Sequence, residues 1–390
     1  MDCDVVIVGG GPAGLAFARS LEDSGLSIVL LERAPLEALA SPRFDGREIA
    51  LTHGSKRILD SLGAWGRLPA DEIAPMHAAK VLNGDSPFAL NFTAGGGADD
   101  QLGYLVPNHR IRAALYEAVK HQPGLKLVTG AEVVHARSGA TGPRAEVLLS
   151  SGEVVRARLL VVADSRLSKT REALGIDTDI NPLGRSMMVV RVRHELPHGA
   201  TALEWFDHRQ TLALLPLNGN MAGAVLTLPE EAARRVAAFD DAALGRDLTR
   251  RFRQRLGRME VVSDRNVYPL VTTWAHQFVT GRAALIGDAA VGMHPVTAHG
   301  FNLGLSGQAL LAAEVRDAVR RGMDPALPAV LRRFENGHRA ACKPLYTGTN
   351  LLVRLFTDER LPARAMRHAV LRLGAGLPFV RPTVRAMLTH

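Results

Sequence analysis

Two hydrophobic periods alternate along the start of the chain. Val5-Val6-Ile7-Val8 is an unbroken apolar, β-branched run of strand length. Leu15, Phe17, Ala18 and Leu21 then recur on one side of a helical pattern, which predicts a helix over 12–24. Ile28-Val29-Leu30-Leu31 predicts a second strand, closed by Glu32. Further on, 35–44 holds two prolines and reads as a loop, 55–62 as a helix and 73–92 as short strands. The glycine-rich stretch 94–100 predicts a flexible loop. Tyr104-Leu105-Val106-Pro107 precedes a helix expected over 110–121, with Asn108 in the position of an N-cap. Strands are expected over 126–129, 133–137, 145–149, 154–157 and 159–162, with a turn at 139–143. From 186 to 228 the pattern is strand-rich, over 187–192, 202–206, 211–216 and 221–228. Asn218-Gly219 supplies a hairpin turn, so these strands read as an antiparallel sheet. Helices over 230–239 and 241–256, strands over 267–270 and 282–286, and a long helix reaching 321 complete the pattern.

Composition narrows the class without naming it. A chain of 390 residues buries a large core and is long enough for about two domains. Its apolar fraction of 47% and charged fraction of 22% are those of an ordinary globular protein. The net charge of +8 comes almost wholly from arginine. The basic residues are scattered and aromatics are only 5%, so no base-stacking surface is evident and no nucleic-acid partner is expected. Cys3 and Cys342 have neither metal-ligand spacing nor a disulfide framework, which fits a reducing cytoplasm and no metal. The first strand begins almost at Met1, leaving no room for a signal peptide, and no apolar run is long enough to span a bilayer.

Chemistry enters with the glycines. Gly9, Gly11 and Gly14 stand between the first strand and its helix, in the full βαβ context of a dinucleotide fingerprint. Gly9 permits the tight turn, Gly11 lets backbone approach a pyrophosphate, and Gly14 lets helix and strand pack closely. The helix N-terminus would hold the pyrophosphate, and Glu32 would accept from ribose hydroxyls. Arg47 fits two readings, a forked donor to the phosphates or a surface ion pair with Asp45 or Glu48. A second glycine-rich cluster begins at Gly287-Asp288 and continues through His294-Pro295 to Gly300 and Gly304. Its helix start offers free N–H groups to an anionic or electron-rich group. Asp288 also fits a plain helix cap. No second glycine fingerprint marks a separate nicotinamide domain.

These motifs resemble the three signatures of the single-component flavoprotein aromatic hydroxylases: Gly9 to Gly14 with Glu32, Asp164 to Arg171, and Gly287-Asp288 with His294-Pro295 and Gly300 to Gly304. Asp45-Gly46-Arg47-Glu48-Ile49-Ala50-Leu51, followed by Ser55, Leu59, Leu62-Gly63 and Trp65, is similar to the ubiquinone-biosynthesis hydroxylase branch, as is the run Asn350 to Phe356. The likeness spans about 3–375, although 70–100 and 190–270 match only in general pattern. Three positions depart from the family's usual residues: Ser165 after the acid of the middle motif, Ala298-His299 before Gly300, and Val291. The first two resemble UbiM-type members of that branch.

The resemblance implies an α/β fold: a Rossmann-like FAD-binding domain (1–70, 101–182 and 275–345), an inserted mixed or antiparallel-sheet substrate domain (71–100 and 183–274) and a helical C-terminal segment (346–390). It implies FAD as cofactor and NADPH or NADH as co-substrate. By the same resemblance Glu32 holds the adenosine ribose, Arg47 the pyrophosphate and Asp288 the ribityl chain. Arg110 lies near the cofactor, and Asp164 serves both FAD and the reductant. Gly300, Phe301 and Asn302 present N–H groups to the flavin's pyrimidine edge, and Ala13, Arg33, Gly287 and Pro295 complete the set. The implied activity hydroxylates the ring of a polyprenylated phenol or quinol in ubiquinone biosynthesis, one oxygen atom of O₂ passing to the ring and the other leaving as water. His294 and His299 would shuttle a proton or orient the substrate; the plainer readings are a packing residue before Pro295 and a helix cap. A flavin-dependent hydroxylase of a soluble phenolic, a flavin-dependent reductase of a prenyl group, and a non-catalytic flavin-binding scaffold in a quinone-synthesis complex are the alternatives. Finally, 350–390 holds seven Arg and two acids, with apolar residues at helical spacing. That basic amphipathic pattern predicts peripheral contact with a bacterial inner membrane from the cytoplasmic side.

Overall fold

The computed structural model describes residues 1–86, 89–94, 100–139, 142–207, 210–297 and 299–357. The expected βαβ unit is present as β1 (Asp2–Val8), α1 (Pro12–Ser20) and β2 (Ile28–Glu32). Val5, Val6, Ile7 and Val8 are all buried, as a strand covered on both faces requires. The stretch expected as a loop contains α2 (Leu36–Ala40). Pro35 stands just before its first turn, where a missing N–H is harmless, and Leu39 is buried. β3 (Glu48–Leu51) leads into α3 (His53–Ser61), capped by Thr52, whose hydroxyl accepts the Ser55 N–H.

Next come β4 (Ala74–Met76), β5 (Ala78–Asn83), β6 (Leu90–Thr93) and β7 (Gly103–Pro107). Most of the expected glycine loop, 95–99, lies outside the described residues. α4 (Asn108–Val119) begins at Asn108 itself, so Asn108 is not its cap; the Asn108 amide donates instead to Asp45 Oδ2 at 2.7 Å. After β8 (Leu125–Thr129), β9 (Val133–Arg137) and β10 (Ala145–Leu149), two expected strands prove to be one, β11 (Val154–Val162). Arg158 does not interrupt it, because its guanidinium reaches out to Asp4 at 3.2 Å.

Beyond α5 (Lys169–Ala173), β12 (Thr178–His194) starts well before the expected 187; an irregularity in its pairing between Pro182 and Ser186 lets the strand run on. Then follow β13 (Thr201–Asp207), β14 (Gln210–Pro216), β15 (Met221–Pro229), α6 (Glu230–Ala237) and α7 (Asp241–Arg251). The last strands are β16 (Met259–Val261), β17 (Asn266–Ala275), β18 (Val279–Thr280), β19 (Ala283–Leu285) and β20 (Val291–Gly292). α8 (His299–Arg320) and α9 (Pro328–Thr357) end the described chain.

Two large sheets organise these elements. The first runs β18-β19-β11-β1-β2-β8, with β10 and β9 attached through β11. Its centre is parallel, and its core takes in both of its faces and the inner sides of α1, α4 and α8. The second runs β20-β17-β12-β15-β14-β13-β5-β6 and is antiparallel except where β13 meets β5. Its separate core lies between one sheet face and α6 and α7, around Trp205, Leu226, Leu244 and Phe252. A small sheet, β3-β7-β4, stands apart from both.

Candidate active site

Three of the motifs meet at the carboxyl ends of adjacent parallel strands. β1 ends in the Gly9 to Gly14 turn, β11 in Ala163-Asp164, and β19 just before Gly287-Asp288. In an open α/β sheet this is where the topology leaves a crevice. The glycines let the loops close on one another. A Cβ on Gly9, at φ +111°, would lie 2.5 Å from the Ala163 carbonyl oxygen, and one on Gly14 would lie 1.9 Å from the Gly9 carbonyl oxygen. A Cβ on Gly287, at φ +59°, would lie 3.0 Å from the Ala13 Cβ. Gly11 differs, because a Cβ there meets nothing within 4 Å. Its backbone faces open space beside the α1 N-terminus.

Glu32 is held ready by backbone. One carboxylate oxygen accepts the Gly10 N–H at 2.6 Å and the other the Ala34 N–H at 2.7 Å. Each oxygen keeps a further lone pair. Arg33 beside it is exposed. Arg47 forms an ion pair with Asp45, Nη2 to Oδ2 at 2.6 Å, and lies 5.5 Å from the centre of the Tyr268 ring. Burial raises the Asp45 pKa, but Arg47 and Asn108 outweigh it and hold the carboxyl below its ordinary range. Arg110 pairs with Glu72 at 2.5 Å. Asp164 accepts the N–H of Ser165 at 2.9 Å.

The middle motif contributes two arginines that the sequence reading gave no role. Arg166 donates to Asp288 Oδ2 through Nε at 3.1 Å and Nη2 at 2.7 Å, and to the Val271 carbonyl through Nη1 at 2.8 Å. Arg171 is buried, and its Nη1 donates to the carbonyls of Arg166 and Ala289. The Asp164 to Arg171 segment is thus tied to the Gly287-Asp288 loop and to β17. Asp288 is the partner of Arg166 rather than only the start of a turn.

At the opening of α8, Gly300 leaves room: a Cβ would lie 3.7 Å from the nearest atom, the Met293 Cβ. Phe301 packs on the first core. The Asn302 amide clamps β3, donating to the Ala50 carbonyl at 2.8 Å and accepting the Thr52 N–H at 3.1 Å. Pro295 is exposed, whereas His294 is buried and its Nδ1 accepts the Val296 N–H at 3.1 Å. Burial, helped by Arg166 and Arg185, pushes His294 down to about 4, so the ring is neutral near pH 7. His299 is half-buried at the first position of α8. Residue 298 lies outside the described residues.

A further pair joins the small sheet to the second large sheet. Glu48, with a side chain only 1% exposed, accepts from Arg191 Nε on β12 at 2.7 Å. Burial raises its pKa, and the nearby charges of Glu72 and Asp45 add to the shift. The Arg191 guanidinium lies 4.7 Å from the centre of the Phe44 ring.

Residues 2–327 match the family model described as an FAD binding domain. Ubiquinone hydroxylase UbiM of Neisseria meningitidis is 44% identical over 390 residues, covering 99% of this chain and 84% of that one. Ubiquinone hydroxylase UbiL of Rhodospirillum rubrum is 35% identical, covering 99% and 89%. The chain belongs to the ubiquinone hydroxylase family of FAD-dependent monooxygenases. Its fold is also that of p-nitrophenol 4-monooxygenase PnpA from Pseudomonas putida, with a TM-score of 0.73 at 18% identity, covering 100% of this chain and 98% of that one. The cofactor of the family is therefore FAD, and the crevice fits it on a physical ground. The Gly9 and Gly14 contacts bring strand, turn and helix too close for side chains, while Gly11 leaves a cradle that any side chain would fill. Once bound, FAD would supply the redox chemistry of an aromatic monooxygenase, with reduced nicotinamide and O₂ as co-substrates.

Among the described residues no group of His, Cys, Asp and Glu is placed to hold a metal ion, and no helix is long and apolar enough to cross a membrane.

Proposed function

We propose that this protein hydroxylates the ring of a polyprenylated phenol or quinol on the way to ubiquinone, using NADPH or NADH and O₂. Its likeness to UbiM over nearly the whole chain supports the pathway. The observation that carries the substrate class is an apolar cluster. Phe206 of β13 packs with Val81, Leu90, Val296 and Leu355, which brings one face of the second sheet against the loop after Pro295 and the end of α9. An aromatic ring with an apolar tail suits such walls.

In this reading the nucleotide-binding body is 1–70, 101–182 and 275–345, the substrate body 71–100 and 183–274, and the C-terminal segment 346–390. The two separate cores support the division. Gly9, Gly11, Ala13 and Gly14 receive the pyrophosphate, with Arg47 as its cation once released from Asp45. Glu32 takes the adenosine ribose beside Arg33, and Gly287 and Asp288 the ribityl chain. Arg110 and Asp164 line the approach of cofactor and reductant. Gly300, Phe301 and Asn302 offer N–H groups at the positive end of α8, where negative charge is stabilised. Pro295 borders the ring site. His294 shapes the turn that holds Val296, and His299 faces the substrate side.

The substrate's tail gives a reason for contact with a membrane surface. Leu351 is 61% and Leu352 37% exposed near the end of α9, next to the wall formed by Leu355. Residues 358–390, most of the basic amphipathic segment, lie outside the described residues. The test of function is direct. Purified protein with NADPH, O₂ and a prenylated phenol should yield a product heavier by one oxygen atom. Deleting the gene should cause its host to accumulate the under-hydroxylated precursor. Oxidation of NADPH with no oxygenated product from any prenylated ring would refute the reading.

A further inference from the structure

β13 carries one carboxyl on a face that is otherwise apolar. Leu203 and Trp205 point into the core under α6 and α7, while Phe206 lies on the opposite face, against Val296 and Leu355. Side chains alternate along a strand, so Glu204 shares the face of Phe206. Pairing across the sheet places Glu204 in a row with Val81 of β5, Ala213 of β14, Val225 of β15, Val189 of β12 and Asn266 of β17. At the far end of that row, Gly46 packs so tightly on Val189 that a Cβ would lie 2.7 Å from its Cγ2. That is the loop bearing Arg47. Three strand spacings separate β12 from β13, so Glu204 stands about 14 Å across the sheet face from that loop. This span is wide enough for an aromatic ring.

Among the described residues, no donor or cation is found on Glu204. The residue as a whole is half-buried. Its neighbours on that face are Ala202 and Phe206 of its own strand, Val81 of β5 and Ala213 of β14, with Val296 and Leu355 against Phe206. The charged or titratable groups next to those residues are His294 before Val296, Arg354 before Leu355, Lys80 on the other face of β5 and Asp207 on the other face of β13. None of them sets its charge; burial alone pushes the carboxyl up to about 8. A carboxyl with no partner among the described residues, on a largely apolar face, is costly to keep, which points to a group from outside as its partner.

We propose that Glu204 receives a ring hydroxyl of the substrate and acts on it as a general base. This rests on the functional reading above. As the ring is attacked, the ring O–H bond breaks and an O–H bond forms on Glu204. The electron pair left on oxygen is delocalised into the ring carbon that accepts the new oxygen. Glu204 returns its proton to the ring oxygen as that carbon gives up its hydrogen as a proton, which leaves with the second oxygen atom of O₂ as water, and aromaticity is restored. A carboxyl that titrates near working pH suits the task.

The test uses the holoenzyme with a diprenylated phenol and its O-methyl ether. Glu204→Gln should lower kcat/KM by about 100-fold or more. The wild-type profile should rise with pH to an inflection near 8, and the variant's should be flat in that range. Binding, read from flavin fluorescence, should weaken for the phenol and stay the same for the methyl ether. Glu204→Leu should keep its FAD and melt no lower than wild type, because a costly carboxyl is removed. If Glu204→Gln retains both the pH profile and the preference for the phenol, the assignment is overturned. If the wild type neither binds nor hydroxylates the phenol, the functional reading falls first and the role of Glu204 falls with it.

Discussion

Gly11 separates binding of the cofactor from folding of the chain. It stands just before α1 at φ −73° and ψ 178°, angles open to any residue, and a Cβ there meets nothing. Gly11→Val therefore costs the polypeptide little. Valine is a poor helix-cap residue, worth about 1 kcal/mol at most, which moves Tm by about 2 °C in a chain of this size. The same side chain fills the cradle against the helix N-terminus, so FAD affinity should fall about 100-fold or more. The assay melts stripped protein with and without FAD, at 100 times the wild-type Kd. Wild type should gain about 2.7 kcal/mol, and a variant binding 100-fold more weakly about 0.4 kcal/mol. Gly14→Ala is the contrasting control: its Cβ would lie 1.9 Å from a backbone carbonyl, so it should destabilise with or without FAD. A Gly11→Val protein that purifies fully yellow and melts like wild type in FAD would refute this account of the turn.

Asn302→Leu removes both bonds to β3 and leaves two backbone groups without that partner, at a cost of about 1–3 kcal/mol; an unchanged urea midpoint would contradict the clamp. Two buried histidines set an acid limit. His294 and His338 both fall from 6.5 to about 4 through burial, so the unfolded chain takes up their protons first. Stability should be full above pH 6.5 and decline down to about pH 4, by on the order of 3 kcal/mol for each histidine; His338→Gln should reduce that slope, as read from unfolding at stepped pH. Binding to anionic vesicles should fall steeply with salt and be lost on removing the segment after residue 357, with FAD retained; a full-length protein that stays free of such vesicles at low salt would favour delivery of the substrate by a partner protein.

What the sequence made legible was local and periodic. The β1-α1-β2 unit could be read because strand run, glycines, helical spacing and terminal acid all agree within one short segment. The hairpin at Asn218-Gly219 was readable for the same reason. Errors came where a distant partner decides. Asn108 looks like a cap until Asp45 is beside it. Arg158 looks like a strand break until Asp4 receives it. Pro35 and Pro42 suggest a loop, although a proline is harmless just ahead of a first turn. Within the site, the positions of the motif glycines were readable, but the use of Arg166 and Arg171 as struts between two motifs was not, nor was the Glu48–Arg191 pair. These contacts join residues about a hundred or more positions apart, and no spacing rule reaches that far.

The place of β1 in its sheet has a consequence for synthesis. β1 is made well before β11, which is one of its two neighbours, paired Val5 to Leu159. At about 5–20 residues per second a ribosome needs roughly 8–30 s to bring that neighbour out. During that interval one edge of an apolar strand lacks its partner, and an open edge invites pairing with other nascent chains. Yield of this protein should therefore respond more to chaperone supply and translation rate than to the stability of the finished fold. A fragment ending before β11 would keep the glycine fingerprint and β2 but leave that edge exposed, making it a poor vehicle for studying cofactor binding in isolation.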